Sequence, residues 1–169
     1  MAVGVISIDD PRADDVRELL ERHLAYAHAT TPREDMHALD VDALADPSVT
    51  FFSLRADGEL LGVAALKRLD RDHAEIKSMH TAHAARGQGV ARALVDHLVA
   101  VARKRGYRRL SLETGSGPAF AAARSLYASA GFTPCEPFAG YGPSLNSAYM
   151  TLSLDGSGSS PFTGEELDL

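Results

Sequence analysis

Residues 85–106, ARGQGVARALVDHLVAVARKRG, place an arginine and two glycines directly before a long apolar-periodic segment. Val90, Leu94, Leu98 and Val101 fall on one stripe of a helix, and Gly106 is suited to end it. A helix N-terminus leaves amide hydrogens without partners and carries about half a positive charge. Glycine there lets a ligand approach the backbone closely. The stretch therefore predicts an anion site, best suited to phosphate, at the start of a helix.

The segments around this helix predict a mixed α/β fold. Strand-like runs precede and follow it at 73–81 and 107–114, and a helical crossover between neighbouring strands requires that they be parallel. Upstream, Asp57-Gly58 is a hairpin signal between two further strands, which form an antiparallel meander with the run at 73–81. Helical patterns near the N-terminus and at 118–131 complete the set. We expect a mostly antiparallel sheet containing one parallel pair, with helices on both faces.

Composition limits the organisation and the partners of the chain. Its 169 residues predict a single domain over 1–154, followed by a Gly/Ser linker and acidic tail over 155–169. The net charge of −6 lacks the basic excess typical of nucleic-acid binders. The single cysteine favours a reducing, cytoplasmic compartment. The N-terminus does not read as a signal peptide, and no apolar run is long enough to span a membrane.

Four segments, in order, resemble the GNAT superfamily of acetyl-CoA-dependent N-acetyltransferases. Residues 86–91 fit the pattern [RQ]-x-x-G-x-[GA], EIKSMHT at 75–81 and LSLET at 110–114 resemble the family's neighbouring strands, and ARSLYASAGF at 123–132 resembles its A-x-x-L-Y-x-x-x-G-F helix. By itself the loop would equally suit a glycine-rich turn capping a surface helix. The four segments together make the resemblance specific, and it implies that the parallel strand pair splays apart at the centre of the sheet.

The resemblance implies a coenzyme A site, and no metal is expected, because His80 and His83 have no acidic or cysteine ligand at a matching spacing. Backbone amides from Gln88 to Ala91 would hold the pyrophosphate, with Arg86 assisting. The strand end would pair with the pantetheine arm, and an amide near Met79 would polarise the thioester carbonyl. The expected coenzyme-binding residues are Met79, His80, Thr81, Arg86, Gly87, Gln88, Gly89, Val90 and Ala91.

Two residues are candidates for proton transfer. Tyr127, on the last motif helix, is the expected general acid for the departing thiolate, although its apolar stripe would also suit a core tyrosine. Glu75 is the expected base, on a strand face shared with Lys77 and Met79 by alternation. A salt bridge between Glu75 and Lys77 is the alternative reading, and deprotonation through water without a dedicated base is also open.

Three residues are candidates for contact with the acceptor: His37, Glu113 and Tyr141. His37 follows the first helix, where relatives usually form the acceptor wall. Glu113 is a second candidate base, and Tyr141 could close the site from a later loop, although solvated surface positions would also explain His37 and Tyr141. One position departs from the family, because Phe120 stands where many relatives carry asparagine or glutamine seven residues before the helix tyrosine.

These features predict an N-acetyltransferase that moves an acetyl group from acetyl-CoA to a primary amine by direct attack. The acceptor would be a small molecule or a peptide. A non-catalytic acyl-CoA-binding sensor or scaffold is the alternative, and another donor such as succinyl-CoA is a third. An exposed final strand could pair across a homodimer.

Overall fold

The computed structural model describes residues 4–30 and 41–154, with only the backbone given for 23–30. The strands are β1 (Val5–Ile8), β2 (Val49–Ala56), β3 (Glu59–Arg68), β4 (His73–Thr81), β5 (Arg109–Gly115), β6 (Thr133–Pro134) and β7 (Ser147–Ser153). The helices are α1 (Asp14–Thr30), α2 (Val41–Leu44), α3 (Val90–Lys104) and α4 (Ala121–Ser129), with single 3-10 turns at His83–Ala85 and Pro118–Phe120.

The strands form one mixed sheet in the order β1-β2-β3-β4-β5-β7-β6. The predicted hairpin joins β2 and β3, and both of its turn residues have positive φ, 52° at Asp57 and 82° at Gly58. That conformation matches the twist of the flanking strands and favours Asp-Gly. β4 and β5 are parallel, and α3 provides the crossover between them, as predicted.

The parallel pair separates halfway along its length. Pairing runs from His73 and Arg109 to Ile76 and Leu112, and no pair is formed beyond these among the described residues. Both strands nevertheless continue, β4 alongside β3 as far as Thr81 and β5 alongside β7 as far as Gly115. The sheet therefore opens as a fork whose two arms expose backbone edges to each other.

A bulge in β4 changes the predicted side-chain alternation. The register moves from Lys77 opposite Ala65 to His80 opposite Val63, so three residues of β4 span two of β3. Ser78 supplies the extra residue, with a φ of 55°. Beyond a one-residue bulge, side chains exchange faces. The prediction that Met79 shares a face with Glu75 is therefore wrong, and Met79 packs instead against the core on the α3 face.

Helices cover both faces of the sheet, as predicted. On one face α3 and α4 bury a core that includes Leu94, Leu98 and Tyr127 against β2–β5 and β7. On the other face α1 and α2 pack through Val16 and Leu44 onto β2 and β3. This second layer does not include α3 or α4 residues, so the two faces of the sheet are covered by different helices.

The C-terminal half of the sheet differs from expectation in one respect. β7 is not an edge strand, because β6 pairs outside it at Thr151 and Met150. Within residues 4–30 and 41–154, no helix is both long and apolar enough to cross a membrane. His37 and the expected tail at 155–169 lie outside the described residues.

Candidate active site

A cleft of about 510 Å³ spans the fork between β4 and β5. One end reaches the start of α3. The other reaches the loop that precedes β7, whose residues Tyr141 and Asn146 line the cleft. The cleft therefore brings together segments far apart in sequence. Of the coenzyme-binding residues expected from the sequence, those that line it are Met79, His80, Thr81, Arg86, Gly87, Gly89, Val90 and Ala91.

The start of α3 has the geometry of an anion site. Gly87 and Gly89 adopt φ values of 80° and 83°, which side-chain-bearing residues rarely adopt. Gly89 is the N-cap, and no side chain caps the helix there. The first α3 amide to bond within the turn is that of Ala93, which donates to the Gly89 carbonyl at 3.0 Å. The preceding amides lie at the positive end of a 15-residue helix and belong to residues that line the cleft.

Two side chains near this loop differ from expectation. The Gln88 side chain does not line the cleft, and its Nε2 donates to the Ala84 carbonyl at 3.3 Å. Only its backbone amide remains a candidate ligand. Arg92, which sequence reasoning did not select, lines the cleft from the first turn of α3. Its guanidinium donates to Asp96 at 3.0 Å and to Ser129 at 3.2 Å.

Tyr127 is both a core residue and a cleft residue. It is 6% exposed, and its ring contacts Phe132 edge-on at a centroid distance of 5.9 Å. Burial raises the pKa of its hydroxyl well above the ordinary value of 10.0. Among the described residues, none forms a hydrogen bond with that hydroxyl. A buried polar group without a protein partner is costly, so an oxygen that borders a cleft is suited to a ligand atom.

Glu75, Lys77 and Tyr141 meet at the other end of the cleft. Lys77 Nζ lies 3.2 Å from Glu75 Oε2 and 2.5 Å from the Tyr141 hydroxyl, which donates to Glu75 Oε2 at 2.6 Å. The ion pair is buried, with side-chain exposures of 3% for Glu75 and 9% for Lys77. The alternative salt-bridge reading of Glu75 is thus confirmed as a contact, although the carboxylate still borders the cleft.

Burial, reinforced by the nearby charge of Glu75 and by the hydrogen bond to it, raises the pKa of Tyr141 well above its ordinary value. The phenol therefore remains protonated near neutral pH and acts as a donor to Glu75. Glu113 also lines the cleft, and its Oε2 accepts a hydrogen bond from Ser147 Oγ at 2.7 Å. The structure thus brings together two of the three acceptor candidates, Glu113 and Tyr141.

Phe120, the departure from the family pattern, packs on the end of β5. A Cβ added to Gly115 would lie 2.1 Å from the Phe120 ring, so the glycine leaves the space that the ring occupies. Both residues line the cleft. An aromatic surface therefore stands where the family resemblance predicts an amide.

Sequence reasoning missed the roles of Ser147, Asn146 and Arg92 as neighbours of the site. Arg92 could have been found, because it lies in the first turn of the helix that follows the glycine-rich loop. Ser147 could not, because its contact with Glu113 depends on the register of β5 and β7. Over the ranges 4–30 and 41–154, no three potential metal ligands cluster together.

Comparison with known proteins gives the family. Residues 13–132 match the model of the acetyltransferase (GNAT) family. The chain is 47% identical to the uncharacterized N-acetyltransferase YsnE of Bacillus subtilis, over 88% of this chain and 99% of that protein. It is 42% identical to the uncharacterized N-acetyltransferase YedL of Escherichia coli, over 88% and 94%. It is also 34% identical to an IAA acetyltransferase of Azospirillum brasilense, over 88% and 97%.

Solved structures share the fold. A provisionally named acyl-CoA N-acyltransferase from Klebsiella pneumoniae superposes with a TM-score of 0.78 at 27% identity, covering 92% of this chain and all of that one. A Bacillus subtilis acetyltransferase solved in complex with CoA superposes with a TM-score of 0.66 at 20% identity, covering 89% and 98%. The forked sheet, the match to the family model and these relatives agree. The protein therefore belongs to the acetyltransferase (GNAT) family and is an acyl-CoA N-acyltransferase.

Proposed function

We propose that the protein transfers an acetyl group from acetyl-CoA to a primary amine by direct attack, without an acyl-enzyme. One observation carries the proposal: a single cleft connects the start of α3, which no side chain caps, the open edges of β4 and β5, and Tyr127. A phosphate-bearing thioester needs an anion site, an extended channel and a group near its sulfur. Relatives named as N-acetyltransferases support acetyl as the acyl group.

The donor half of the cleft would bind coenzyme A through backbone groups. Amides from Gln88 to Ala91 would donate to the diphosphate, and Arg86 would add a charged fork to one phosphate. The open edge of β4, from Lys77 to Thr81, would pair with the amides of the pantetheine arm in the manner of an added strand. The thioester would then lie at the fork, near Met79.

The acceptor must lose its proton before it attacks. A primary ammonium has an ordinary pKa of about 10.4, so a carboxylate or a dry pocket has to favour the neutral amine. Glu75 or Glu113 would accept that proton, directly or through water. The amine nitrogen then forms a bond to the thioester carbon, and the carbonyl oxygen gains negative charge. A backbone amide of β4 near Met79 would stabilise this oxyanion.

Collapse of the tetrahedral intermediate breaks the carbon–sulfur bond and leaves the electron pair on sulfur. The second proton of the amine nitrogen balances the thiol that forms. Because burial raises the Tyr127 pKa, complete transfer from the phenol to a thiolate of ordinary pKa about 8.5 is uphill. Tyr127 would therefore donate a hydrogen bond to the departing sulfur and pass on a proton only as the nitrogen resupplies it.

A thiol-release assay tests the proposal. Purified full-length protein receives acetyl-CoA with a panel of amines, including spermidine, kanamycin, amino acids and a short peptide, and free thiol is followed colorimetrically. Mass spectrometry then identifies the acetylated amine, which separates transfer from hydrolysis to acetate. We expect amine-dependent thiol release and one acetyl group on the product nitrogen. Thermal stabilisation by coenzyme A with no turnover on any amine would instead favour the alternative, a non-catalytic acyl-CoA-binding sensor or scaffold.

A donor comparison tests the acyl group. Succinyl-CoA shares the diphosphate and the pantetheine arm of acetyl-CoA but adds a carboxylate at the fork. Glu75 and Glu113 border the cleft there, so like-charge repulsion should disfavour the longer donor. We expect kcat/KM for acetyl-CoA to exceed that for succinyl-CoA, and the opposite order would reassign the donor.

A further inference from the structure

Three polar atoms form a closed triangle beside the fork. Lys77 Nζ, Glu75 Oε2 and the Tyr141 hydroxyl lie between 2.5 and 3.2 Å from one another. Each contact is a hydrogen bond, and all three involve a charged group, the Lys77 ammonium, the Glu75 carboxylate or both. The triangle joins β4 to a loop more than sixty residues later in the chain.

The two bonds of this triangle that involve Glu75 use the same carboxylate oxygen. Oε2 accepts from both Lys77 and Tyr141. Among residues 4–30 and 41–154, no side chain or amide bonds to Oε1. The Glu75 side chain is only 3% exposed, yet it borders the cleft. A buried carboxylate oxygen in that position requires a donor, and a ligand in the cleft can provide one.

The loop that supplies Tyr141 is itself fixed by aromatic contacts. The Tyr141 ring contacts Phe138 and Tyr149 at centroid distances of 5.2 and 5.7 Å. The Tyr149 hydroxyl donates to the Gly142 carbonyl at 2.8 Å, which ties the next part of the loop to β7. The phenol therefore meets Glu75 from a rigid support rather than from a freely moving side chain.

We propose that Tyr141 and Lys77 are positioning residues that fix the Glu75 carboxylate so that Oε1 receives the ammonium group of the acceptor. This inference rests on the proposed function, because it names the acceptor half of the same cleft. Glu75 balances the charge of Lys77, whereas Glu113 adds a further carboxylate to this wall. The subsite therefore selects a protonated primary amine.

Steady-state kinetics test the positioning role with Tyr141→Phe. This change removes the hydroxyl but retains the ring that contacts Phe138 and Tyr149. Loss of one charge-assisted bond to Glu75 should raise the KM for the amine about tenfold, and the KM for acetyl-CoA should stay the same. Lys77→Met should act in the same direction, and Lys77→Arg should restore part of the loss. Tyr107→Phe, outside the cleft, is the matched control.

Equal amine KM values for wild type and Tyr141→Phe would overturn the proposal, as would a parallel rise in both KM values. Coenzyme A affinity measured by calorimetry shows whether each variant still folds and binds the donor. If the wild-type protein itself does not bind coenzyme A, that result would count against the proposed function instead.

Tyrosine NMR provides a test that does not need turnover. The protein contains five tyrosines, and carbon-13 at Cζ, assigned with Tyr141→Phe, isolates the signal of interest. The groups that face Tyr141 are Glu75, Lys77, Glu113 and Tyr149. Burial and the charge of Glu75 raise the pKa of Tyr141, so its signal should resist alkaline titration and titrate earlier in Glu75→Gln.

The same signal reports amine binding. With coenzyme A present, methylammonium chloride should shift the Tyr141 signal in the wild type, whereas equimolar sodium chloride should not. Glu75→Gln should abolish the shift. A Tyr141 signal that titrates at the ordinary tyrosine value, or a methylammonium shift that survives in Glu75→Gln, would contradict the assignment.

Discussion

Ile76 and Leu112 form the last backbone pair between β4 and β5, although both strands continue beyond them. The two side chains are buried in the core under α3, so the closed part of the fork is rigid. The open part begins one residue later, at Lys77 and Glu113, and both of these residues border the cleft. The candidate groups Glu75, Lys77 and Glu113 are thus sequence neighbours of the last backbone pair.

The hydroxyl of Tyr127 should matter for turnover more than for stability. In Tyr127→Phe we expect kcat to fall about 100-fold, the magnitude typical of a lost acid–base group. Because no described residue bonds to that hydroxyl, its removal should leave the free energy of unfolding within about 1 kcal/mol or raise it slightly. Urea unfolding and steady-state kinetics measure both quantities. Collapse of the fold with unchanged specific activity in the remaining folded protein would favour the core-tyrosine reading.

Gly87 and Gly58 provide a matched pair for the anion loop. Both have φ near 80°, and an added Cβ would meet nothing within 4 Å at either position. Replacement by alanine should therefore cost a similar stability, about 1 kcal/mol, from backbone strain alone. Only Gly87→Ala should also weaken coenzyme A binding in calorimetry, since Gly87 lines the cleft and Gly58 does not. Equal coenzyme A affinities in the two variants would argue against a role for the loop backbone.

The Phe120 ring depends on the absence of a side chain at Gly115. In Gly115→Ala the new Cβ would fall 2.1 Å from that ring, so the ring must move. Because both residues line the cleft, we expect the KM of at least one substrate to change in this variant. The double variant Gly115→Ala/Phe120→Ala should recover much of the wild-type value. No change in either KM would indicate that the ring lies outside the substrate path.

Asp9 should contribute to acid stability. Burial alone would raise its pKa, but hydrogen bonds from Ser53 and Arg55 outweigh burial and leave the pKa below its ordinary value of 3.8. A lowered folded-state pKa stabilises the fold above the unfolded value and loses this contribution as the pH falls through the folded value. Asp9→Asn should therefore flatten the acid limb of stability below about pH 4 and cost roughly 1.5 kcal/mol at neutral pH.

Chemical denaturation at several pH values measures that limb. Asp57→Asn removes an exposed carboxylate from the hairpin turn and is the control for the change in net charge. Identical acid limbs in Asp9→Asn and wild type would show that the bonds of Asp9 do not stabilise the fold in solution.

Local patterns predicted the elements of this fold well. The spacing of Val90, Leu94 and Leu98 identified α3, and the helical crossover required the parallel pair that the sheet contains. These features follow from short-range periodicity and from connection geometry, which one sequence displays. The position of the glycine-rich loop before α3 followed in the same way.

Features that depend on register were not predictable. The extra residue at Ser78 moves Met79 to the opposite face, and nothing in the composition of β4 signals a bulge there. Tyr141 was selected for its loop, but its bond to Glu75 depends on how Phe138 and Tyr149 seat that loop. Contacts of this kind join distant segments, so they become visible only in the folded chain.

The central claim is that the backbone following Arg86 binds the diphosphate of a thioester carrier whose arm enters the fork. A crystal structure of the full-length protein with acetyl-CoA tests this most directly. We expect the diphosphate within hydrogen-bonding distance of the amides from Gln88 to Ala91, the pantetheine arm along β4, and the sulfur near Tyr127. A carrier bound elsewhere on the surface, or a protein that does not bind acetyl-CoA at all, would contradict the account.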